Sequence, residues 1–267
     1  MKSDVSKEVI GLIPAAGDAT RFGKLPCSKE LLPIGFQEDK TISGSKPKVL
    51  MSCLLEKMRR ASIHNAYVII KKGKWDIPDY FGDGSEYGIN IGYLIQNLPY
   101  GVPYTLDQAF PFIMNRKVAL GFPDTIYQGP NIYGLLLNRL NKGDAHIVLG
   151  VFPADETENA DRVKMDTNGF IRRIICKPNK SNLRFVWAAA VWQSEFTHFM
   201  HEYLSNLNTS ELQAEVQIGH IVQFSIEAGF LVAGVQVSKY PPMDVGNARR
   251  LKSLWTMHEK DYHKMTT

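Results

Sequence analysis

Between Gly11 and Pro33 the chain reads Gly-Leu-Ile-Pro-Ala-Ala-Gly-Asp-Ala-Thr-Arg-Phe-Gly-Lys-Leu-Pro-Cys-Ser-Lys-Glu-Leu-Leu-Pro, an apolar run that opens into small residues with Arg21 and Lys29 spaced along the exit. Small residues let backbone N–H groups come close to phosphate oxygens, and two cations can neutralise the charge on a leaving pyrophosphate. The string is not a Walker A loop, because Gly17 and Gly23 are separated by five residues and Lys24 is followed by Leu25. It is not G-x-G-x-x-G either. Read one at a time, Gly17 is a turn and Arg21, Lys24 and Lys29 are solvated charges; read as one string, they favour a triphosphate. Further on, Asp124 stands just beyond the apolar run Val118 to Phe122, where ligand residues of open parallel sheets gather.

Other reactive side chains carry less. His198 and His201 lie three apart beside Glu202 but lack the His-Glu-x-x-His spacing, so they read as a helix-surface pair and not as zinc ligands. Trp187, Trp192 and Phe196 read as core residues. Cys27 lies in the small-residue loop, with nothing in the sequence to lower its pKa.

The elements that must position these residues alternate. Val9 to Ile13 reads as a buried strand ending at Pro14, and Val49, Leu50, Cys53, Leu54 and Met58 recur at helical spacing opposite Lys57, Arg59 and Arg60. Strands are expected at Ala66 to Ile70, Ile89 to Ile95, Val118 to Phe122 and Ala145 to Phe152, with helices at Leu106 to Ile113 and Tyr133 to Asn141. Such alternation predicts an α/β fold with a mainly parallel sheet covered by helices on both faces. After Pro153 the pattern becomes α+β. A hairpin is expected from Arg162 to Ile175 around Asp166-Thr167-Asn168-Gly169, then a strand at Arg184 to Trp192 and helices at Glu195 to Leu204 and Glu215 to Ala228, the last capped by Gly229. No repeat or low-complexity linker divides the 267 residues, so one domain is expected.

Composition bounds the rest. With 44% hydrophobic and 22% charged residues, a chain of this size buries roughly three-quarters of its unfolded surface. The net charge of +4 is not gathered into a basic run, which argues against a nucleic-acid partner. Cys27, Cys53 and Cys176 are an odd number without spacing, as suits reduced thiols in a cytoplasmic protein. The polar N-terminus is no signal peptide, and no run approaches the ~20 apolar residues of a membrane span.

The Gly11 to Pro33 string resembles the signature of the sugar-1-phosphate nucleotidyltransferase family, matching at Ala15, Gly17, Thr20, Arg21, Lys29, Leu31, Leu32 and Pro33. Ala16 and Ala19 replace glycines of that signature, and seven residues separate Arg21 from Lys29, a shorter loop than in most hexose enzymes. The likeness continues through Lys46-Pro47, read as opening the first helix, Phe81 to Gly88, Tyr93 to Gln96 and Asp107 to Phe110. It implies a Rossmann-like three-layer sandwich whose nucleotide-binding half spans residues 1–152 and whose acceptor-binding, metal-completing half spans 153–267.

The resemblance also implies roles. Ala15, Ala16, Gly17, Asp18, Ala19, Thr20, Gln96 and Gly101 would bind the nucleotide. Gln96 would read the pyrimidine edge, since an amide offers one donor and one acceptor to the N3–H and O4 of uracil or thymine. Arg21 and Lys29 would act on the triphosphate, and Lys177 on the acceptor phosphate with Glu215 beside it. Asp124 and Asp244 would hold Mg²⁺, a hard ion suited to carboxylate and phosphate oxygens. Two positions depart from the family: Cys176 stands where a Glu binds sugar hydroxyls, and Gly219-His220 replaces a Thr-Asp pair. The expected substrates are dTTP or UTP and a sugar phosphate, in a protein whose relatives are often homo-oligomers. Ile13-Pro-Ala-Ala-Gly17 also looks like the cytidylyltransferases, which leaves CTP and a non-hexose phosphate as one alternative and a catalytically silent nucleotide-binding protein as another.

Overall fold

The computed structural model describes residues 8–39, 44–96, 98, 100–129, 131–155, 160–211 and 214–256. Its first half runs β1 (Val9–Pro14), a hairpin of β2 (Pro33–Asp39) and β3 (Gly44–Val49), α1 (Leu50–Arg60), β4 (Asn65–Lys71), α2 (Asp76–Phe81), β5 (Asn90–Gln96), α3 (Val102–Asp107), α4 (Phe110–Ile113), β6 (Lys117–Gly121), β7 (Thr125–Ile126) and α5 (Ile132–Leu140). The second half adds β8 (Ile147–Pro153), β9 (Arg162–Met165), β10 (Ile171–Ile175), β11 (Phe185–Trp192), α6 (Ser194–Ser205), α7 (Ile218–Glu227), β12 (Val232–Gln236), β13 (Met243–Asp244) and α8 (Ala248–Trp255).

Among the described residues nine strands form one sheet. β6, β1, β4 and β5 are parallel neighbours in that order. β11 joins the other side of β6 antiparallel and shares that edge with β9, while its far edge pairs with β8, to which β12 is parallel. The period of two in each strand divides the core between the two faces. Ile13, Ala119, Val68 and Val148 pack with Leu54, Leu55 and Met58 of α1 and Ile132, Tyr133 and Leu136 of α5. Ile10, Leu12, Leu120, Leu149 and Trp192 pack with Phe196 and Met200 of α6 and Ile221 and Val222 of α7. Each fully buried Leu or Ile contributes about 1.5–3 kcal/mol, so truncating Leu12 or Leu120 would loosen the strands that end at the site.

Four expectations are corrected. Lys46 and Pro47 lie in β3 and not at the head of the first helix, because Leu50 starts α1 after the hairpin returns. The helix expected over Leu106 to Ile113 is two short helices; Pro111 stands in the first turn of α4, where a missing N–H is tolerated. The helix expected from Glu215 begins at Ile218, which leaves Glu215 in the lead-in. His201 is more than a surface residue, since its Nδ1 meets Asp107 Oδ1 at 3.0 Å and its ring stacks on Phe110. No helix among the described residues is long and apolar enough to cross a membrane.

Candidate functional site

The ends of β1, β4, β5 and β6 form the carboxyl edge of the parallel strands, and the small-residue loop leaves from it. The Ala15 N–H donates to the Ile69 carbonyl at 2.8 Å, so the loop departs beside β4. Lys74 Nζ donates to the Ala15 carbonyl at 2.8 Å and to both Glu30 oxygens at 2.9 and 2.8 Å. Glu30 and Lys74 are buried. Burial pushes the Glu30 pKa up and the Lys74 pKa down, each opposed by the other's charge. Ser28 ties the loop again, its N–H and hydroxyl each donating to the Asp76 carboxylate at 2.6 Å.

Lys29–Leu31 is a single 3₁₀ turn, in which successive side chains diverge by about 120°. Glu30 therefore points inward to Lys74 while Lys29 points across the edge, where its Nζ donates to Asp124 Oδ2 at 2.6 Å. A Cβ on Gly17 would lie 3.6 Å from that Nζ, so Gly17 stands beside the same cation. Arg21, in the exposed turn Thr20–Phe22, reaches Asp244 Oδ2 at 3.6 Å. The two carboxylates come from distant parts of the chain but are held together by β7 and β13, which pair Asp244 with Thr125 while the Val245 N–H donates to the Asp124 carbonyl at 2.8 Å.

The electrostatics follow from this packing. Burial raises the Asp244 pKa and the Asp124 charge raises it further, against Arg21, Lys29 and Arg250, which lower it. For Lys29, burial lowers the pKa, but Asp124, Glu30 and Asp244 together outweigh it and leave the pKa raised. The ammonium is thereby fixed in its charged form. Asp18 pairs with Lys71 across the loop, and Ala19 adopts a left-handed backbone with φ 54°. A cavity of 460 Å³ opens between the loop and Gly73–Asp76, lined by Asp18, Ala19, Cys27, Lys29 and Lys74 among others. Burial first, then Asp76 and Glu30, raise the Cys27 pKa, so this thiol is not activated.

Gln96 and Gly101 stand at the end of β5. The Gln96 side-chain NH₂ donates to the Leu98 carbonyl at 2.8 Å and to Thr105 Oγ1 at 2.6 Å, so both amide donors are engaged within the chain. Gly101 has φ 111°, and a Cβ there would lie 2.3 Å from the Val216 carbonyl. With the Val216 N–H donating to the Tyr100 carbonyl at 2.9 Å, Gly101 joins the end of β5 to the segment before α7.

That segment builds the second part of the site. Lys177 follows β10 with φ 38°, donates Nζ to Gln217 Oε1 at 2.7 Å and is exposed. Its backbone N–H donates to Asp161 Oδ1 at 3.2 Å. Asp161 also stands beside Cys176 and Gly219: a Cβ on Gly219 would lie 2.2 Å from Asp161 Oδ2 and 2.8 Å from Cys176 Sγ. Burial raises the Asp161 pKa, opposed by Lys177, Trp187 and His220. Trp187 Nε1 is buried outside hydrogen-bond geometry with any partner, yet close enough to Asp161 to favour its charged form. Burial and the Asp161 charge push Cys176 up to about 12, keeping it a thiol. Glu215 is exposed, and its neighbour Gln217 is the residue that meets Lys177.

The structure thus brings Arg21, Lys29, Asp124 and Asp244 into one cluster beside Gly17, and places Lys177 in a second cluster. Sequence reasoning did not find Glu30, Lys74, Asp76, Asp161 or Gln217. Only Glu30 left a signal, a carboxylate set directly before the apolar pair Leu31-Leu32.

The parallel edge, the anchored loop and the paired cations and carboxylates define an α/β protein with a charged site at the carboxyl edge of its sheet. The chain matches the nucleotidyl transferase family over residues 11–264, nearly its whole length, and belongs to it. A low-salt glycan biosynthesis nucleotidyltransferase of Haloferax volcanii is 22% identical over 203 residues, 76% of this chain and 55% of that one. A glucose-1-phosphate thymidylyltransferase of Streptomyces griseus is 25% identical over 240 residues, 88% of this chain and 62% of its own. The chain therefore spans between 55% and 62% of the length of these two curated relatives. In fold it is similar to UDP-glucose pyrophosphorylase complexed with UDP-glucose, with TM-score 0.75 at 18% identity over 96% of this chain and 99% of that one.

Proposed function

We propose that the protein transfers a nucleoside monophosphate from dTTP or UTP to a sugar-1-phosphate and releases pyrophosphate. The observation that carries this reading is the convergence of Lys29 on Asp124 and Arg21 on Asp244 at the carboxyl edge of the parallel strands. An oxygen of the acceptor phosphate attacks the α-phosphorus in line; the new P–O bond forms as the bond to the β-phosphate bridging oxygen breaks. A phosphate dianion is already nucleophilic, so no general base is required and catalysis rests on positioning and charge stabilisation. Arg21 stabilises the departing pyrophosphate, Lys29 the triphosphate, and Lys177 fixes the acceptor phosphate.

The donor set suits Mg²⁺. Two carboxylates held together, one raising the other's pKa, are the partial shell that such an ion takes when phosphates and water supply the remaining ligands. No cluster of three or more His, Cys, Asp or Glu able to hold a metal occurs among the described residues, so a closed protein cage is not what the carboxylates offer. Bound between Asp124 and Asp244, the ion would supply charge neutralisation to the triphosphate oxygens.

Gln96 favours a second reading of the base. With both amide donors engaged within the chain, its Oε1 accepts equally well from N3–H of uracil or thymine and from the N4 amine of cytosine. CTP with a non-hexose phosphate is therefore the alternative. Pyrophosphate release measured across UTP, dTTP and CTP with a panel of sugar-1-phosphates, with and without Mg²⁺, tests base, acceptor and metal together. Release is expected only when triphosphate, acceptor and Mg²⁺ are all present. Triphosphate binding without release under every acceptor would instead mark a silent nucleotide-binding protein.

A further inference from the structure

We infer that Asp161 is the carboxylate that reads a hydroxyl of the acceptor sugar phosphate, taking over a task that the thiol of Cys176 cannot perform. This deepens the proposed function and rests on it. Three observations lead to it.

Lys177 and Asp161 form one unit. The backbone N–H of Lys177 is hydrogen-bonded to Asp161 Oδ1 at 3.2 Å while its Nζ extends to Gln217. A phosphate on that ammonium and a hydroxyl on this carboxylate would thus be held by one unit. Next, the carboxylate has been given room. Gly219 opens α7 without a side chain, and the space a Cβ would fill lies 2.2 Å from Asp161 Oδ2. Any larger residue at 219 would press on that oxygen. Third, the indole N–H of the buried Trp187 stands beside this carboxylate and favours its charged, hydrogen-bond-accepting form. The Trp187 ring also packs edge-on to Phe122 at 6.2 Å, two residues before Asp124 in the chain.

The chemistry separates Asp161 from its neighbour. Cys176 remains a thiol, a weak hydrogen-bond partner, whereas an ionised carboxylate accepts two strong hydrogen bonds. A sugar hydroxyl donating to Oδ2 gives a charge-assisted bond within a partly desolvated pocket. Removing it should weaken acceptor use roughly tenfold to a hundredfold.

The test is steady-state kinetics with the full-length protein, wild type against Asp161→Asn. The amide keeps the shape and can still accept from the Lys177 N–H, but it loses the charge. Acceptor KM is expected to rise at least roughly tenfold while triphosphate KM and the triphosphate-induced rise in Tm stay at wild-type values. A structural role would not predict the second readout. Wild type should discriminate against at least one monodeoxy analogue of the acceptor, and Asp161→Asn should lose that discrimination, because a site built to bond a hydroxyl rejects the analogue lacking it. Gly219→Ala, whose methyl would crowd Oδ2, should reproduce both effects and serves if Asp161→Asn does not fold. Wild-type acceptor KM and retained discrimination in the variants would overturn the role of Asp161 and leave the proposed function standing. Indifference of wild type to every deoxy analogue overturns it as well, and absence of pyrophosphate release from wild type with any acceptor sinks the proposed function itself.

Discussion

Lys29 and Lys177 both face the proposed substrates, and the protein holds them in opposite ways. Lys29 is seated on a carboxylate at 2.6 Å with both side chains largely buried, and its loop is pinned below by the buried Glu30–Lys74 pair. Lys177 is exposed and leans on a neutral amide, with only its backbone tied to a carboxylate. The first arrangement pre-sets charge and position before a ligand arrives, which suits a triphosphate whose geometry does not vary. The second leaves the cation free to exchange Gln217 for a phosphate at small cost. On the proposed function, triphosphate activation rests on rigid ion pairs and acceptor choice on adaptable contacts.

The sharpest way to break this contrast is to remove the pin. Glu30→Ala leaves Lys74 with its charge buried and unpaired, which should cost about 3–5 kcal/mol, read as a lowered urea midpoint. Replacing both residues together, Glu30→Leu with Lys74→Met, should restore part of the loss, because the penalty lies in the uncompensated charge and not in the missing pair. If the single change were silent in denaturation, the loop would not depend on the buried pair. Next in size is Arg21→Ala, expected to lower kcat by roughly a hundredfold or more, as for loss of one preorganised charge-stabilising donor. Turnover at the wild-type rate in a pyrophosphate-release assay removes Arg21 from the mechanism.

Lys177→Met should act on the other side only. A hydrogen bond to a charged group contributes about 1.5–3 kcal/mol, so acceptor KM should rise roughly tenfold or more with triphosphate KM unchanged. Equal effects on both substrates would erase the division drawn between the two lysines.

A third lysine shows why the carboxylate matters. Lys57 is buried like Lys29, but its Nζ has the Gly129 carbonyl at 3.1 Å and the Tyr127 ring at 5.8 Å in place of a seated carboxylate. Burial lowers its pKa to about 8, helped by Arg60 and Lys48 and opposed by Cys53 and Glu56. Folded Lys57 releases its proton near pH 8 while the unfolded chain holds it to about 10.5. Between these values the unfolded state binds more protons, so this contribution to stability grows as pH rises and is lost as pH falls through about 8. Lys57→Met should remove that slope, so the Tm of the variant minus that of wild type should fall steadily from about pH 7 to pH 10. A constant difference across the window would place the Lys57 pKa elsewhere.

How far the sequence discloses this arrangement depends on what kind of signal each part leaves. β1, β4 and β6 are legible as apolar runs because both faces of a parallel sheet are buried. The β9–β10 hairpin is legible through its turn: Asp166 Oδ1 accepts from the Asn168 and Phe170 N–H groups while Gly169 takes φ 81°. The β2–β3 hairpin is not, since its strands form a separate two-stranded sheet that leaves Phe36 exposed and carries Pro47, so no alternation develops. β12 escapes because Gly234 interrupts a short apolar run, and α8 because it follows no long periodic stretch. At the site, Arg21 and Lys29 are legible in the Gly11 to Pro33 string, Asp124 by its place just beyond an apolar strand, and Asp244 through the family resemblance alone. The pairing of Asp161 with Lys177 is not, because it is made by β9 and β10 folding side by side and by the absence of a side chain at Gly219.

The smallest expected effect sharpens the account of the rigid side. Ala19 sits in the left-handed region with φ 54° and ψ 29°, where a Cβ crowds the following carbonyl at a cost of roughly 1–2 kcal/mol. Ala19→Gly removes that strain but gives the unfolded chain more freedom to lose, which takes back about 0.4–1 kcal/mol. The net should be a stabilisation of up to about 1 kcal/mol, a rise of about 2–4 °C in Tm for a chain of this size. Because the backbone N–H groups of the loop keep their directions, triphosphate affinity should stay at the wild-type value. A more stable but weaker-binding variant would mean that the methyl group holds the loop in its ligand-ready form, and strain at Ala19 would then belong to the preorganisation that Lys29, Asp124 and the Glu30–Lys74 pair provide.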